Sequence, residues 1–379
     1  RHLFVGRFQQ CLQGHQRQMR QEIAMTEKIE LLGLSKTELA GQVAALGEKP
    51  FRAKQLWQWL YYHGVTDFAQ MSSFSKELRA KLAENFTITR PKIVAEQVSV
   101  DKTHKWLLEF ADGQRVEMVY IPEEDRGAVC ISTQVGCAMG CRFCHTGSQK
   151  LTRNLTAGEI VGQFMVARDV YGEWPTRTDE NRMLSNIVVM GTGEPLQNVE
   201  NVIKAMNIIT DGEGIAVSRR RITLSTSGIA PRIVEVAEAT GVRLAVSLHA
   251  PTDEIRSRIM PINKKYPLAE VMKACRDYQS RDGSRYVTFE YLMLNGINDS
   301  IENANQLINL MKKYQINAKF NLIAFNPWPG CGFEPSSNNR IHAFAKVLNH
   351  AGYAAPIRTP RGQDILAACG QLKSKKDQL

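Results

Sequence analysis

Ala128-Val-Cys-Ile-Ser-Thr-Gln-Val-Gly-Cys137-Ala-Met-Gly-Cys141-Arg-Phe-Cys144 is the stretch on which the fold of this 379-residue chain turns. A strand is expected over Ala128–Thr133, running into a loop that carries three thiols at C-x3-C-x2-C spacing. Three thiols hold three irons of a four-iron, four-sulfur cluster and leave the fourth iron open to bind and activate a small molecule, whereas a cluster with four cysteines is closed. The spacing also admits a structural zinc site with His145 as fourth ligand. Adjacent residues rarely both reach one tetrahedral ion, and zinc knuckles usually come as two separated pairs, so the cluster is favoured and zinc stays open.

Downstream of this stretch the pattern becomes βαβα. Further strands are expected at Asn186–Met190, Arg221–Thr226, Arg243–His249, Val287–Leu294 and Lys319–Phe325. Helices lie between them: Thr156 and Glu159 form a capping box before Ile160, Phe164 and Ala167, and Asn339–Gly352 is a last helix. Crossovers of this length imply parallel pairing, hence an open doubly wound sheet or a full or partial barrel. In each case ligands collect at the C-terminal strand ends. Those ends are polar: Gly191-Thr-Gly193-Glu194-Pro195, Ser225-Thr-Ser-Gly228, Ser247-Leu248-His249 and Phe325-Asn326-Pro327. Leu196 stands where a dinucleotide fingerprint needs its third glycine, which excludes that site. Glu194 offers a carboxylate to an ammonium group.

Upstream, residues 26–91 read as a helical accessory domain, with the capping box Ser35-Lys-Thr-Glu38, a Trp57/Trp59 helix after Pro50, and a third helix near Lys76–Glu84. Trp57 and Trp59 face different sides of one helix, so at least one is expected in a core. Residues 92–125 read as a small β-rich connector with a hairpin turn at Asp112-Gly113. Residues 126–352 form the main domain and 353–379 a C-terminal segment. Residues 1–25, rich in Gln and Arg, are expected to be a poorly ordered extension ahead of Met25.

The formal charge is +10, and the basic excess persists without the first 24 residues, which suggests a polyanionic partner. Arg219-Arg220-Arg221 and Lys264-Lys265 are candidates to meet phosphates, although such runs are usually solvated faces. No apolar run approaches the roughly 20 residues that cross a bilayer, and no signal-peptide core is evident, so a cytoplasmic protein with no membrane partner is expected. Eight scattered cysteines fit a reduced compartment better than a disulfide framework.

Several strings together resemble the radical S-adenosylmethionine (SAM) adenosine methyltransferases of the RlmN/Cfr family: Arg115-Val-Glu117, Ser132-Thr-Gln-Val-Gly-Cys137, Gly191-Thr-Gly193-Glu194-Pro195, Ser225-Thr-Ser-Gly228, Ser247-Leu-His249-Ala-Pro251, Met260-Pro-Ile-Asn263, Asn321-Leu-Ile323 with Asn326-Pro327, and Ala367-Ala-Cys369-Gly-Gln-Leu372. The resemblance spans roughly residues 26–372, and Arg361-Gly-Gln-Asp-Ile365 fits the C2 branch better than the C8 branch. It implies a partial (β/α)6 TIM-like barrel, an α/β fold. It implies one 4Fe-4S cluster on Cys137, Cys141 and Cys144 with SAM on the open iron, and two SAM molecules per turnover. Gly193, Glu194, Ser225, Ser247, Leu248, His249 and Asn326 map to the SAM pocket. Cys369 maps to a methyl-accepting cysteine, Cys130 to a resolving cysteine that forms a disulfide with it, and Glu117 to a proton acceptor. The implied partners are 23S rRNA, tRNA and an electron donor such as flavodoxin or ferredoxin, with the protein acting as a monomer. Cys11, Cys275 and Cys331 match no motif, and His145 departs from the small residue often found after the third cysteine.

Overall fold

Among the described residues, ten strands form one sheet and pair in the order in which they occur along the chain. The computed structural model describes residues 28–124, 126–177, 182–281 and 286–373. The first four strands, β1 (Lys92–Val98), β2 (His104–Glu109), β3 (Arg115–Pro122) and β4 (Gly127–Cys130), are antiparallel neighbours. From β4 onward every pairing is parallel: β5 (Asn186–Val189), β6 (Ile222–Thr226), β7 (Arg243–Ser247), β8 (Val287–Met293), β9 (Ala318–Ala324) and β10 (Ile357–Arg358). Strands β4 to β9 with their crossover helices make the partial (β/α)6 barrel. The helices are α1 (Ala157–Tyr171), α2 (Val199–Thr210), α3 (Ala230–Thr240), α4 (Leu268–Ser280), α5 (Ile301–Tyr314) and α6 (Asn338–His350), with a short helix Asp253–Ile259 ahead of α4.

All six strands expected in the main domain are present, with ends that shift by up to three residues. Their centres are apolar because both faces of a parallel sheet are covered: Val129, Ile187, Leu224, Val246, Phe289 and Phe320 are buried. Each such side chain contributes roughly 1.5–3 kcal/mol on leaving water. The capping box of α1 forms as expected, with Thr156 accepting from the Glu159 N–H, and Gly172 ends the helix at φ 63°.

The β-rich stretch before the barrel continues the barrel sheet. Strand β3 pairs with β4 through Val119 opposite Cys130 and Pro122 opposite Gly127, so the meander covers what would be an open sheet edge. The turn at Asp112-Gly113 is present, with Gly113 at φ 75°.

The described residues divide into two compact units. Residues 32–64 belong to the larger one, with the barrel. Helix Lys36–Ala45 carries the Ser35/Glu38 capping box. Lys36 pairs with Asp211 at 2.7 Å and Lys204 with Glu38 at 2.6 Å, and the Trp57 indole N–H donates to Asp211 at 3.2 Å. Trp57 is buried, and Trp59 is only partly so. The smaller unit holds 28–31 and 65–89: a two-residue parallel ladder, Ile29–Glu30 with Phe86–Thr87, and helix Lys76–Asn85 capped by Ser75. Residues 26–91 thus contribute to both units. The extension expected at 1–25 lies outside the described residues. Among the described residues no helix is long and apolar enough to cross a membrane.

Candidate active site

One cleft opens at the C-terminal ends of the parallel strands. Cys137, Cys141 and Cys144 line it from the loop after β4, Gly191, Gly193 and Glu194 from the loop after β5, Ser225 from β6, and Ser247 and His249 from β7 and its end. Cys369, more than 200 residues away along the chain, lines the same cleft.

The cysteine loop is shaped by two left-handed glycines, Gly136 at φ 77° and Gly140 at φ 63°, and it rests on an apolar floor of Phe143, Ile259, Met260, Leu292 and Phe325. All described cysteines are free thiols. Burial pushes the Cys137 thiol up to about 12, and the Cys141 and Cys144 thiols also rise through burial; Cys141 feels both of the others. Three soft sulfur donors converging on one cleft fit an iron-sulfur cluster. The zinc alternative fails on His145. Its imidazole lies flat on Trp328, with ring centroids 4.6 Å apart, its Nδ1 meets the Gln371 carbonyl, and it lines a second cleft. Among the described residues no group of three His, Cys, Asp or Glu side chains is arranged to hold a single metal ion.

Glu194 bridges the strand ends. It accepts from Thr226 Oγ1 at 2.8 Å, from the Ser227 N–H at 2.7 Å and from the Leu196 N–H at 2.9 Å, while burial raises its carboxyl. His249 sits at φ 56° with Nδ1 accepting from the Leu292 N–H at 3.0 Å. That bond leaves the proton on Nε2. Burial, with Arg256 adding to it, holds the imidazole at about 3, so the ring is neutral and fitted for contact rather than proton transfer. The Leu248 side chain is buried, and its N–H donates to Glu290 O. Asn326 is buried and accepts from Gln363 Nε2 at 2.7 Å. Neither of these two lines the cleft.

Two residues escaped the sequence reading. Arg256, fully buried, donates to Ser227 O, Ser247 O, Leu248 O and Asn263 Oδ1, and so ties the ends of β6 and β7 together. Glu290, in the middle of β8, lines the cleft and takes a hydrogen bond from Asn321 Nδ2 at 2.8 Å; burial raises its carboxyl. A lone carboxylate in the apolar run Val287–Met293 was the available signal for Glu290.

Cys369 is exposed to the cleft yet ringed by protein. Loss of bulk hydration, with Glu290 and Cys144 nearby, pushes its thiol up to about 12. Cys130, at the end of β4, packs on a small apolar cluster of Val119, Ala367 and Leu372, two of which flank Cys369. Burial lifts its thiol to about 12 as well, and Cys369 adds to the rise. Glu117 lines the second cleft, as His145 does. Its carboxylate pairs with Lys105 Nζ at 3.1 Å and accepts from the Lys373 N–H at 2.6 Å.

Residues 29–88 match the ribosomal RNA large subunit methyltransferase N-terminal domain, and residues 131–308 match the radical SAM superfamily. The chain is 58% identical over 377 residues to the dual-specificity RNA methyltransferase RlmN of Paramagnetospirillum magneticum, covering 99% of this chain and 80% of that one. It is 62% identical over 346 residues to the RlmN of Rhodospirillum rubrum, covering 91% and 80%. A radical SAM methyltransferase crystal structure from Sphaerobacter thermophilus superposes with a TM-score of 0.84 at 43% identity, covering 91% of this chain and 99% of that one. The strand-end cleft, its three cysteines and these likenesses together show that the chain belongs to the RlmN family of radical SAM RNA methyltransferases.

Proposed function

We propose that this enzyme methylates C2 of an adenine in RNA, with 23S rRNA and tRNAs as substrates, and that the methyl group passes through Cys369. The observation that carries this reading is the placement of Cys369 in the cleft of Cys137, Cys141 and Cys144, with Cys130 within electrostatic reach. When bound, a 4Fe-4S cluster on those three cysteines, with SAM on its open iron, supplies a methyl group and a hydrogen-abstracting 5′-deoxyadenosyl radical.

The protein's residues then have distinct tasks. Glu194, held by three donors, receives the SAM amino group together with the Gly193 backbone, and Ser225, Ser247 and His249 complete the pocket wall. The Cys369 thiol first loses its proton, and its thiolate then takes the methyl group by polar displacement, while S-adenosylhomocysteine leaves with the broken S–CH3 bonding pair. Adenine C2 is not nucleophilic, so the S-methyl group must first lose a hydrogen atom and add as a carbon radical. That addition tethers the RNA to Cys369 and leaves the unpaired electron on the adenine ring; the C2 proton passes to Glu117 and the electron to a one-electron acceptor of the iron-sulfur class, which restores the aromatic ring. Attack of the Cys130 sulfur on the Cys369 sulfur forms the S–S bond and breaks the S–CH2 bond. The bonding pair leaves on the methylene carbon, which takes a proton to become the methyl group. Leu248, whose carbonyl accepts from Arg256, and Asn326, which accepts from Gln363, act on the pocket only through these partners.

The test is mass spectrometry of nucleosides from 23S fragments and tRNA treated anaerobically with cluster-loaded enzyme, SAM and a reductant. 2-Methyladenosine supports the reading. 8-Methyladenosine, or SAM cleavage without methylated RNA, overturns it.

A further inference from the structure

The two residues after the last cysteine of the motif reach the three residues after Cys369. The His145 N–H donates to Gly370 O at 2.7 Å. His145 Nδ1 lies 3.2 Å from Gln371 O, and Thr146 Oγ1 donates to Leu372 O at 2.7 Å. A carbonyl oxygen only accepts, so Nδ1 must carry the proton and donate. The imidazole is itself fixed from its flat side. It stacks on the Trp328 indole at 4.6 Å with 8° between the planes. The Trp328 N–H donates to Phe143 O at 2.9 Å, so the loop that presents His145 also anchors the ring beneath it. On the other side Gln371 Nε2 donates to Pro327 O at 2.8 Å, next to Trp328. Gly370 turns the chain at φ 82°, directly after Cys369.

The hydrogen bonds from His145 and Thr146 all fall on the residues that follow Cys369. We infer that His145 is a positioning residue, which fixes the 370–372 backbone against the cysteine loop and thereby sets where the Cys369 sulfur stands in the cleft. The inference deepens the proposed function and rests on its reading of Cys369 as the methyl acceptor. Transfer to sulfur needs the reacting atoms near 3–3.5 Å, and a displacement of about 1 Å costs on the order of 100-fold in rate. A segment held only at its ends would wander over that distance. The donors to Gly370, Gln371 and Leu372, one of them carried by an imidazole that Trp328 holds flat, restrict it.

The test uses the full chain with its cluster loaded, in three His145 variants at equal iron content. His145→Ala removes both side-chain contacts. His145→Asn keeps a donor at the Nδ1 position, and His145→Phe keeps the stack. Two quantities are read: amide hydrogen exchange across 368–372, and the single-turnover rate of Cys369 methylation by peptide mass spectrometry. His145→Ala is expected to speed exchange and slow methylation, each about tenfold, with KM for RNA unchanged. Asn and Phe each restore part of both. Trp328→Leu, which lies outside the cysteine loop, removes the stack and leaves the Nδ1 donor, so it is expected to speed exchange and slow methylation by less than His145→Ala does. Wild-type exchange across 368–372 in both His145→Ala and Trp328→Leu overturns the inference, as does faster exchange with methylation unaltered. Absence of methyl on wild-type Cys369 defeats the acceptor reading instead, while the exchange arm still decides whether His145 holds the segment.

Discussion

The Arg256 guanidinium donates to the Ser227 carbonyl oxygen at 2.6 Å, joining the short helix after β7 to the end of β6. The same group also reaches Ser247 O and Leu248 O, so one fully buried cation sets the spacing of two polar strand ends. Burial, the largest influence, lowers its pKa to about 10, which leaves it charged at neutral pH. Replacing it with Met leaves these buried acceptors without their donor. Arg256→Met is expected to lose about 3 kcal/mol or more of stability, measured by urea unfolding, and to weaken SAM binding.

Gly193 lies at φ 107°, and a Cβ there would stand 2.6 Å from Gln134 Cβ and 2.8 Å from Gln134 N. Gln134 has little freedom to yield, because its Oε1 accepts from the Glu194 N–H at 2.8 Å. Gly193→Ala is expected to cost about 1–3 kcal/mol from backbone strain and crowding. Calorimetry should show a lower Tm, and SAM titration a weaker Kd. Unchanged values for both would contradict this account of the turn.

Cys130 and Cys369 act at different stages of the proposed reaction, so their variants should fail differently. Cys369→Ala should give no methylated RNA and no covalent adduct. Cys130→Ala should form the adduct and be unable to release it, which a denaturing gel with labelled RNA detects as a slow band. Loss of that band in a Cys130→Ala, Cys369→Ala double variant identifies the tethering sulfur.

Asp101 links the β1–β2 turn to the C-terminal segment, accepting from the Thr103 N–H at 3.0 Å and the Gly362 N–H at 3.0 Å. Burial alone would raise its carboxyl, but hydrogen bonds from Thr103 and Gly362 outweigh it and hold it at about 2. An unfolded Asp titrates near ~3.9, so the unfolded chain binds the proton more readily. The stabilisation is therefore fully present above about pH 4 and is lost as pH falls toward about 2. Asp101→Asn should be less stable than wild type at pH 6, with the gap closing by about pH 2. A constant gap across that range would refute the linkage.

The barrel was legible because its signals are local. Each strand is a short apolar run, each crossover is helical, and polar residues at Gly191–Pro195 and Ser247–His249 mark the strand ends. What escaped depends on pairing between distant parts. Alternation in residues 92–122 identifies strands but not their neighbour, and only the Val119–Cys130 register shows that they extend the barrel sheet. Likewise, Lys36 meeting Asp211 and Lys204 meeting Glu38 join charges more than 160 positions apart, which periodicity does not report. The grouping of Cys137, Cys141 and Cys144 could be read from their spacing, and all three line one cleft. Cys369 could not, because no spacing rule connects it to them, and it was reached through resemblance. Trp328, Gly370 and Gln371, which meet His145, lie more than 180 positions away from it, and no local pattern reports them.

The strict sequential order of the ten strands also bears on how the molecule is made. Each strand pairs with the one synthesised before it, so the sheet grows from one edge without waiting for a distant partner, which suits stepwise folding on the ribosome. The cysteine loop leaves the ribosome after the fourth strand, and the segment bearing Cys369 follows the tenth. Cys369 on that segment thus follows the strands whose ends line the cleft. Through most of synthesis, then, Cys137, Cys141 and Cys144 have no thiol from residue 369 beside them.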